Sequence, residues 1–336
     1  MRYDDAIYGT VEITEPVLLD LMASDAVQRL RGVSQHGISA LLGITSGFSR
    51  FDHSVGVMLL VRSLGASLEE QVAALLHDIS HTAFSHVIDF VFDGHNGQSY
   101  HEEKKEEILA RSDIPAILSR YGMDWRTFLD DEPFQLLEQA SPALCADRLD
   151  YFLRDLEYLS LAHEDEIQTA VKSLVVKAGK IVVDNPKAAR WIAYTYIEAD
   201  HASWSNFREV GLYQLTAEAI KAANKFGFIG EADLWGSDKN LWDKLCAADH
   251  PDIRALISLI TPGTRFTWDA ERPAFHVATK VRSIDPPVVN GHGVTPLSGL
   301  DPVFGRYREE YLAGKQGYWP IGIVNAPGLL VTHAWT

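Results

Sequence analysis

Apolar residues recur at helical spacing along most of the chain. Leu68, Val72, Leu75 and Leu76 stand at i, i+4, i+7 and i+8, a spacing that places all four on one face of an α-helix. The same spacing recurs in four further segments, residues 53–64, 101–111, 143–160 and 186–224. The pattern predicts a mainly α fold.

Two short β-branched runs interrupt this helical pattern. Residues 174–176 and 181–183 lie on either side of Ala178-Gly179-Lys180, and a glycine-containing turn between such runs is typical of a β-hairpin. We therefore expect a helical core over residues 1–262 that carries one small hairpin near 174–183.

The C-terminal part has a different pattern. Residues 275–284 and 318–331 are strand-like and are separated by segments rich in glycine and proline. This predicts a small α+β appendage over residues 263–336. The prolines and glycines of 286–305 indicate exposed loops, which would offer a contact for a homo-oligomer.

Composition limits the partners. A chain of 336 residues that is 46% hydrophobic can bury a full core. Its formal net charge of −16 argues against long nucleic acids, because affinity for their backbones comes largely from Lys and Arg. A small anionic substrate requires a local cluster of cations.

The sequence also indicates a compartment. Only two cysteines occur, too few and too far apart for a disulfide framework, so a reducing environment fits best. The N-terminus lacks the basic start and apolar run of a secretory signal. The longest tight apolar stretch, Val55 to Val61, is far shorter than the roughly 20 residues that cross a bilayer. These features predict a cytoplasmic protein without a membrane span.

Histidines are concentrated in one region. Six of the thirteen fall within 49 residues: His53, His77, His81, His86, His95 and His101. Imidazoles bind divalent transition metals, carry protons near neutral pH and bind phosphate when charged. His95 lies in a turn-rich loop, and we expect it to be exposed to solvent.

The most informative motif is His77-Asp78 at the end of an apolar helix. Adjacent side chains lie about 100° apart on a helix, so the imidazole and the carboxylate can converge on one ion beside the helix end. Chance His-Asp pairs are common, and the context matters more. Arg50-Phe51-Asp52-His53 opens a helix upstream, and Asp147-Arg148-Leu149-Asp150-Tyr151 follows downstream.

Together these segments resemble the HD-domain phosphohydrolase superfamily, and more closely its deoxynucleoside triphosphate triphosphohydrolase branch. Gln28-Arg29-Leu30-Arg31, the run from His77 to Asp89 and Tyr100-His101-Glu102 also follow the order of this branch, and the resemblance covers roughly residues 24 to 260. It implies an HD-domain helical bundle that holds one divalent metal ion. The implied ligands are His53, His77, Asp78 and Asp147. Two imidazoles and two carboxylates do not select one metal, and Mn, Fe, Co, Ni, Zn and Mg all remain candidates.

The resemblance also implies roles around the ion. Arg50 would contact a phosphate, for which a guanidinium is suited by bidentate pairing; a surface salt bridge is the structural alternative. His86 would be the general acid toward the leaving oxygen, with Asp89 tuning it. His81 and His101 would lie near the substrate phosphates.

The remaining implied residues concern the nucleoside. Gln35, Tyr151 and Asp155 would approach the sugar, and Arg148 would approach a phosphate; packing of Tyr151 and ion pairing of Asp155 are structural alternatives. The chain departs from the branch at two places. His36 stands where an apolar residue is usual, and residues 204–209 lack the expected Tyr-Gln pair, so sugar and base selection stay open.

The leading hypothesis is therefore metal-dependent hydrolysis of phosphate esters of a nucleotide, foremost a (deoxy)nucleoside triphosphate. Phosphomonoesterase or phosphodiesterase activity on another small phosphorylated substrate is an alternative. A nucleotide-binding sensor without activity is a second, although the intact ligand set argues against it. Single-stranded nuclease activity conflicts with the net charge.

Overall fold

Helices dominate the structure, and the mainly α fold is confirmed. The computed structural model describes residues 1–92, 100–278, 280–291 and 293–324. The expected exposure of His95, and the part of the C-terminal strand prediction after residue 324, lie outside these residues.

Within the described ranges the α-helices are, in chain order, α1 Pro16–Met22, α2 Asp25–Arg29, α3 Gly37–Leu41, α4 Arg50–Ser63, α5 Leu68–Leu76, α6 Val87–Val91, α7 Tyr100–Arg111, α8 Ile114–Arg120, α9 Ala146–Tyr158, α10 Glu164–Lys172, α11 Pro186–Ala199, α12 Phe207–Lys225, α13 Glu231–Leu234, α14 Asp238–Ala247, α15 Pro251–Leu259, α16 Leu297–Leu300 and α17 Pro302–Lys315. Short 3₁₀ turns cover Leu30–Gly32 and Trp125–Phe128.

The strands are short and form three small sheets in the described part of the chain. They are β1 Arg2–Asp5, β2 Gly9–Glu12, β3 Leu174–Lys177, β4 Lys180–Val183, β5 Arg265–Trp268, β6 Phe275–Val277, β7 Pro287–Asn290, β8 Gly293–Pro296 and β9 Trp319–Val324. β1 pairs with β2, β3-β4-β7-β8 form one sheet, and β5-β9-β6 form another.

The longest apolar run of the sequence forms a central helix. Side chains on all sides of α4 are buried, and the helix packs against α5 and α9. A capping box begins it: Ser49 Oγ accepts the Asp52 backbone N–H, and the Asp52 carboxylate accepts the Ser49 N–H. A helix that is apolar all round must be covered by other elements, so α4 lies inside the bundle.

The helix predicted over residues 186–224 is interrupted. α11 ends at Ala199, a π-helical turn continues to Trp204, and α12 begins after Asn206, whose side chain caps it. A polar capping residue does not change the apolar periodicity on either side of it. The pattern therefore predicted one continuous helical segment. The interruption brings Trp204 Nε1 within 2.7 Å of Asp155 Oδ2, to which it donates a hydrogen bond.

The segment 286–305 is not the exposed loop that its composition predicted. It forms the β7-β8 hairpin, then α16 and the start of α17. β7 lies parallel to β4, with Val288 opposite Val183, so the expected hairpin at 174–183 becomes part of a four-stranded sheet. Pro287 and Pro296 stand at strand ends, where a missing N–H costs little, and the composition therefore resembled a loop. The boundary at residue 262 stays a prediction.

Two groups of buried apolar residues form the core. One surrounds α4, α5, α9 and α11; the other joins α6, α12, α14 and α15 to the β5-β9-β6 sheet. The candidate site lies beside the first group, and a small recess that opens from it is lined by Phe90, Val210 and Tyr213 of the second. No helix among the described residues has the length and apolar character needed to span a membrane.

Gly37 permits a close backbone approach that we expect to matter for stability. Its φ is +50°, and a Cβ there would collide with the Phe84 carbonyl; Gly43, at φ +69°, has open space around it. Alanine at either position strains the backbone by about 1–2 kcal/mol, and at Gly37 overpacking adds about 1–3 kcal/mol. Gly37→Ala should therefore lower the urea-measured free energy of unfolding more than Gly43→Ala, and equal losses would contradict the collision.

Candidate metal centre and catalytic cavity

The His-Asp pair lies where α5 ends, as its position in the apolar pattern predicted. α5 ends at Leu76, and His77 is the residue that follows. His77 Nδ1 lies 2.7 Å from the Ala74 carbonyl oxygen, to which it must donate, so Nε2 is the nitrogen that carries the lone pair whenever the ring is neutral. That Nε2 is buried and has no hydrogen-bond partner among the described residues. A buried nitrogen held in this state is available to bind a cation.

His53 is oriented in the same way. It is fully buried on α4, and its Nδ1 lies 2.7 Å from Asp150 Oδ2. A carboxylate bound to one ring nitrogen directs the other toward the site, a common arrangement behind metal-binding histidines. His53 Nε2 lies 2.9 Å from Asp147 Oδ1, on the first turn of α9.

The four predicted ligands converge. His77 Nε2 lies 3.5 Å from Asp78 Oδ1 and 3.6 Å from Asp147 Oδ1, and His53 Nε2 lies 3.8 Å from Asp78 Oδ2. Ligand atoms about 2.0–2.2 Å from a shared ion lie about 3–3.5 Å from one another. His53, His77 and Asp147 each offer one donor atom within 4.8 Å of the others, an arrangement that could hold one divalent ion, and Asp78 lies beside them with its Oδ2 paired to Arg50. Mixed nitrogen and oxygen donors suit several metals.

Carboxylates dominate the charge at these ligands. Burial opposes charging of His77, but Asp78 and Asp147 outweigh it and raise its pKa to about 9. Burial likewise opposes charging of His53, whose pKa is nevertheless raised by hydrogen bonds to Asp147 and Asp150. Both imidazoles thus attract a proton when no other cation is present. A metal ion would replace those protons.

Three further predicted histidines form a cluster beside this centre. The rings of His81 and His101 stack with centroids 4.0 Å apart, and His86 lies 5.0 Å from His81. Burial, followed by the nearby charge of Arg50, lowers the pKa of His81 well below its usual value. Burial, followed by His86, lowers the pKa of His101 to about 3. These rings are therefore neutral near pH 7.

The Asp89 carboxylate contacts one ring nitrogen of His86. Its Oδ2 lies 3.2 Å from His86 Nδ1, and its Oδ1 accepts the Tyr100 backbone N–H. Burial lowers the pKa of His86, the hydrogen bond to Asp89 opposes this, and Arg50 and Arg282 lower it further. Asp89 therefore orients an imidazole that is neutral without substrate.

Arg50 is buried, so its ion pair with Asp78 is not the surface salt bridge that was the structural alternative. Only 2% of its surface is exposed. Its Nη1 donates to Asp78 Oδ2 at 2.7 Å and its Nε to Ser85 Oγ at 3.0 Å. Its Nη2 has no partner among the described residues. The guanidinium therefore holds the Asp78 carboxylate, a predicted metal ligand, and keeps one donor available for an anion.

A cavity of about 470 Å³ opens onto the centre. The sequence-predicted residues that line it are Gln35, Arg50, His77, Asp78, His81, His86, His101, Asp147, Arg148 and Tyr151. The structure does not bring Asp155 to its wall. That carboxylate is 2% exposed and accepts hydrogen bonds from His36, Ser46 and Trp204.

Arg148 and Tyr151 line the cavity while already bonded to protein groups. Arg148 donates to the carbonyl oxygens of Ala143 and Gln139 at 2.6 and 3.1 Å. The Tyr151 hydroxyl lies 2.6 Å from that of Tyr196. Both side chains are held in place by these contacts.

Sequence reasoning missed the buried ion-pair chain behind His53. Asp150 Oδ2 accepts from Arg154 Nε at 2.7 Å, and Arg154 Nη2 donates to Asp5 Oδ2 at 2.8 Å. Gly56 leaves room for this pair, since a Cβ there would overlap both side chains. The i, i+4 spacing of Asp150 and Arg154 was a visible signal, but their burial was not.

Two more missed residues hold the loop that carries the histidines. Arg29 donates to the carbonyl oxygens of Ile79 and His81, both at 2.8 Å. The Asp238 carboxylate accepts the backbone N–H of Phe84 at 2.7 Å and that of Ser34 at 2.8 Å. Phe84 and Ser85 have left-handed φ values of 61° and 50°, which such anchors maintain against strain.

Comparisons with known proteins agree with this geometry. The HD domain family matches residues 50–155. The metal-dependent phosphohydrolase cns2 of Cordyceps militaris is 39% identical over 322 residues, which cover 93% of this chain and 92% of that protein. The chain belongs to the HD-domain phosphohydrolase superfamily.

More distant relatives extend the picture of this HD-domain protein. The crystal structure of a phosphohydrolase from Bacteroides thetaiotaomicron shares the fold, with a TM-score of 0.70, 18% identity and coverage of 96% of this chain and 98% of that one. The deoxynucleoside triphosphate triphosphohydrolase SAMHD1 of Gallus gallus is 23% identical over 232 residues, covering 53% of this chain and 37% of that protein. The HD-domain match and the 39% identity to cns2, and not these weaker similarities, show that the chain is a metal-dependent phosphohydrolase.

Replacing Asp150 tests whether the carboxylate behind His53 supports metal binding. Asp150→Asn should weaken the binding of Mn²⁺ by roughly 10- to 100-fold, because the imidazole loses the anion that orients it. Titration calorimetry on the metal-free protein measures the affinity. Glu157→Gln, on the exposed side of the same helix, is the matched control. Equal affinity in a folded Asp150→Asn protein would show that the carboxylate has no such role.

Proposed function

We propose that this phosphohydrolase hydrolyses phosphate esters of a nucleotide, and that a nucleoside triphosphate is its foremost substrate. The observation that carries the proposal is a group of cations around the metal centre, in a chain whose net charge is −16. Arg50, Arg148, Lys280 and Arg282 all line the cavity. Arg50 is paired with Asp78 at 2.7 Å and Arg148 with Glu138 at 3.4 Å, and a fifth cation of the wall, Lys105, is paired with Asp131 at 2.8 Å. The wall also carries the carboxyl groups of Asp78, Glu102, Asp130, Asp131, Glu132, Glu138 and Asp147.

Repulsion among these cations supports an anionic ligand. Burial by the cavity walls, followed by the charge of Arg282, lowers the pKa of Lys280; Asp147 opposes this shift and Arg148 adds to it. The side chain of Lys280 still reaches solvent. Like charges held close together are stabilised by an anion between them. A polyphosphate would supply several negative oxygens along this wall.

The residues divide the chemistry among them. A divalent ion, when bound, neutralises phosphate charge and activates water for attack. Arg50 would donate its remaining Nη2 hydrogens to the phosphate, and the neutral rings of His81 and His101 would donate without adding charge. His86, held by Asp89, would exchange a proton with the leaving oxygen. A bound phosphate raises the pKa of His86, so its protonated form depends on substrate.

The similarity to a deoxynucleoside triphosphate triphosphohydrolase supports a nucleotide, but at 23% identity it does not define the product. Release of orthophosphate by a phosphomonoesterase is the second candidate. It is favoured by the limited space beyond the cavity, where a recess of about 80 Å³ lies.

The metal centre is tested by a double replacement. His77→Ala together with Asp78→Ala should lower hydrolysis by roughly a hundredfold or more, because two of the four ligands are lost. Bound metal is first removed by chelation until no activity remains. Each candidate metal is then added back, and the protein is assayed with a panel of ribo- and deoxynucleoside mono- and triphosphates. Chromatography then separates triphosphate from orthophosphate. Unchanged hydrolysis would exclude this centre, and no product from any nucleotide would exclude the proposed substrate class.

Lys280 tests the phosphate wall. Lys280→Ala should raise KM for a nucleoside triphosphate roughly 5- to 10-fold, since one charged contact to the phosphates is lost. The rise should be smaller for the corresponding monophosphate, which reaches less of the wall. Steady-state kinetics provide both values, and Lys177→Ala, on the exposed end of β3, is the control. An equal effect on both substrates would argue against polyphosphate binding here.

A further inference from the structure

The N-terminal hairpin reaches the candidate metal centre through one side chain. β1 and β2 pair antiparallel, and Asp5 is the last residue of β1. The other three residues of β1 are exposed or half-buried, whereas Asp5 is buried. Its Oδ2 accepts a hydrogen bond from Arg154 Nη2 of α9 at 2.8 Å. The hairpin therefore contributes a charged group to the interior, at the far end of the ion-pair chain that leads to His53.

The turn of the hairpin fixes the Asp5 carboxylate. Its Oδ1 accepts the backbone N–H of Ile7 at 2.8 Å and that of Tyr8 at 3.0 Å, which leaves Oδ2 for Arg154. The carbonyl oxygen of Ile7 in turn accepts a hydrogen bond from Gln168 Nε2 at 2.7 Å. The position of this carboxylate thus depends on the folded hairpin, because both turn bonds require it.

Arg154 is shared between two carboxylates. Its Nε donates to Asp150 Oδ2 at 2.7 Å, and the same oxygen lies 2.7 Å from His53 Nδ1. The side chains of Arg154, Asp150 and Asp5 are only 6%, 0% and 3% exposed. Charges that are this buried are poorly screened by water and salt, so a change at one end of the chain affects the other end. Asp5 therefore limits how strongly the guanidinium competes with His53 for Asp150.

Loss of the Asp5 charge would oppose a bound cation in two ways. Arg154 would be balanced by Asp150 alone, which would then hold His53 less firmly in the orientation that presents Nε2. The centre would also lose one of the four carboxylates that outweigh its two guanidiniums, and the electrostatic free energy of a cation there would rise. Both effects weaken metal binding.

We propose that Asp5 is a positioning residue for the metal centre, and that the N-terminal hairpin and the bound ion stabilise each other through Arg154 and Asp150. Such coupling is reciprocal. If the folded hairpin raises metal affinity by some factor, the ion raises the equilibrium constant for hairpin folding by the same factor. The inference concerns metal binding and holds for whichever phosphate ester the enzyme hydrolyses.

The first test measures metal affinity. Asp5→Asn should weaken the binding of Mn²⁺ to metal-free protein roughly 3- to 10-fold in titration calorimetry, less than the roughly 10- to 100-fold expected for a group that contacts the histidine itself. The amide oxygen can keep the turn bonds, so the change mainly removes the charge. Asp4→Asn removes the same charge from an exposed position on the same strand and should leave the affinity unchanged. Wild-type affinity in a folded Asp5→Asn protein, or an equal loss in Asp4→Asn, would overturn the proposal.

A double-mutant cycle tests the route of this effect. In an Asp150→Asn background, Asp5→Asn should change Mn²⁺ affinity by less than about twofold, because the connection to His53 is already lost. A stabilising role that is unrelated to the chain would give the same loss in both backgrounds. That result would refute the positioning role of Asp5.

The last test uses the wild type alone and so does not depend on the folding of any variant. Saturating Mn²⁺ should slow amide hydrogen exchange in residues 2–12 by roughly 3- to 10-fold, the factor lost in Asp5→Asn. The β3-β4 hairpin, which is not part of the ion-pair chain, should keep its rate. Unchanged exchange in residues 2–12 would contradict the coupling. Failure of every nucleotide to be hydrolysed would refute the proposed substrate and leave these metal measurements unaffected.

Discussion

Excess negative charge at the ligands is the constraint on which the site depends. The carboxylates of Asp5, Asp78, Asp147 and Asp150 face the guanidiniums of Arg50 and Arg154 around His53 and His77. With neutral imidazoles, four negative and two positive charges leave an excess of two. Burial makes this excess costly, because the groups cannot be solvated by bulk water. A divalent cation balances it, and the raised pKa values of the two imidazoles reflect the same demand.

Other parts of the bundle hold these charged side chains in position. The N-terminal hairpin contributes Asp5, which extends the ion-pair chain from His53 to the surface of the core. Arg29 and Asp238 anchor the backbone of the loop that carries His81. Because the loop is bonded to elements from both apolar groups, the walls of the cavity are held relative to each other.

The candidate centre was predictable because its signals are local or belong to a resemblance. An apolar helix that ends at His77-Asp78 specifies where these two side chains stand, since helical geometry depends only on neighbouring residues. The distant partner Asp147 came from the order of the motifs in the family. Asp150, whose carboxylate lies 2.7 Å from His53 Nδ1, was missed. Its spacing to Arg154 is visible, but i, i+4 charge pairs are usually exposed on helices.

The sequence alone determined the mainly α fold, the helix ends that carry the candidate metal ligands and the HD-domain family, because apolar periodicity and short motifs act over a few residues. Only the tertiary structure decided which groups share the cavity. It assigned Asp155 to three protein donors and brought Lys280 and Arg282 to the wall from a segment after β6. These hydrogen bonds and cavity contacts join residues that are far apart in the chain. No local sequence pattern therefore specifies which donors bond to a given carboxylate.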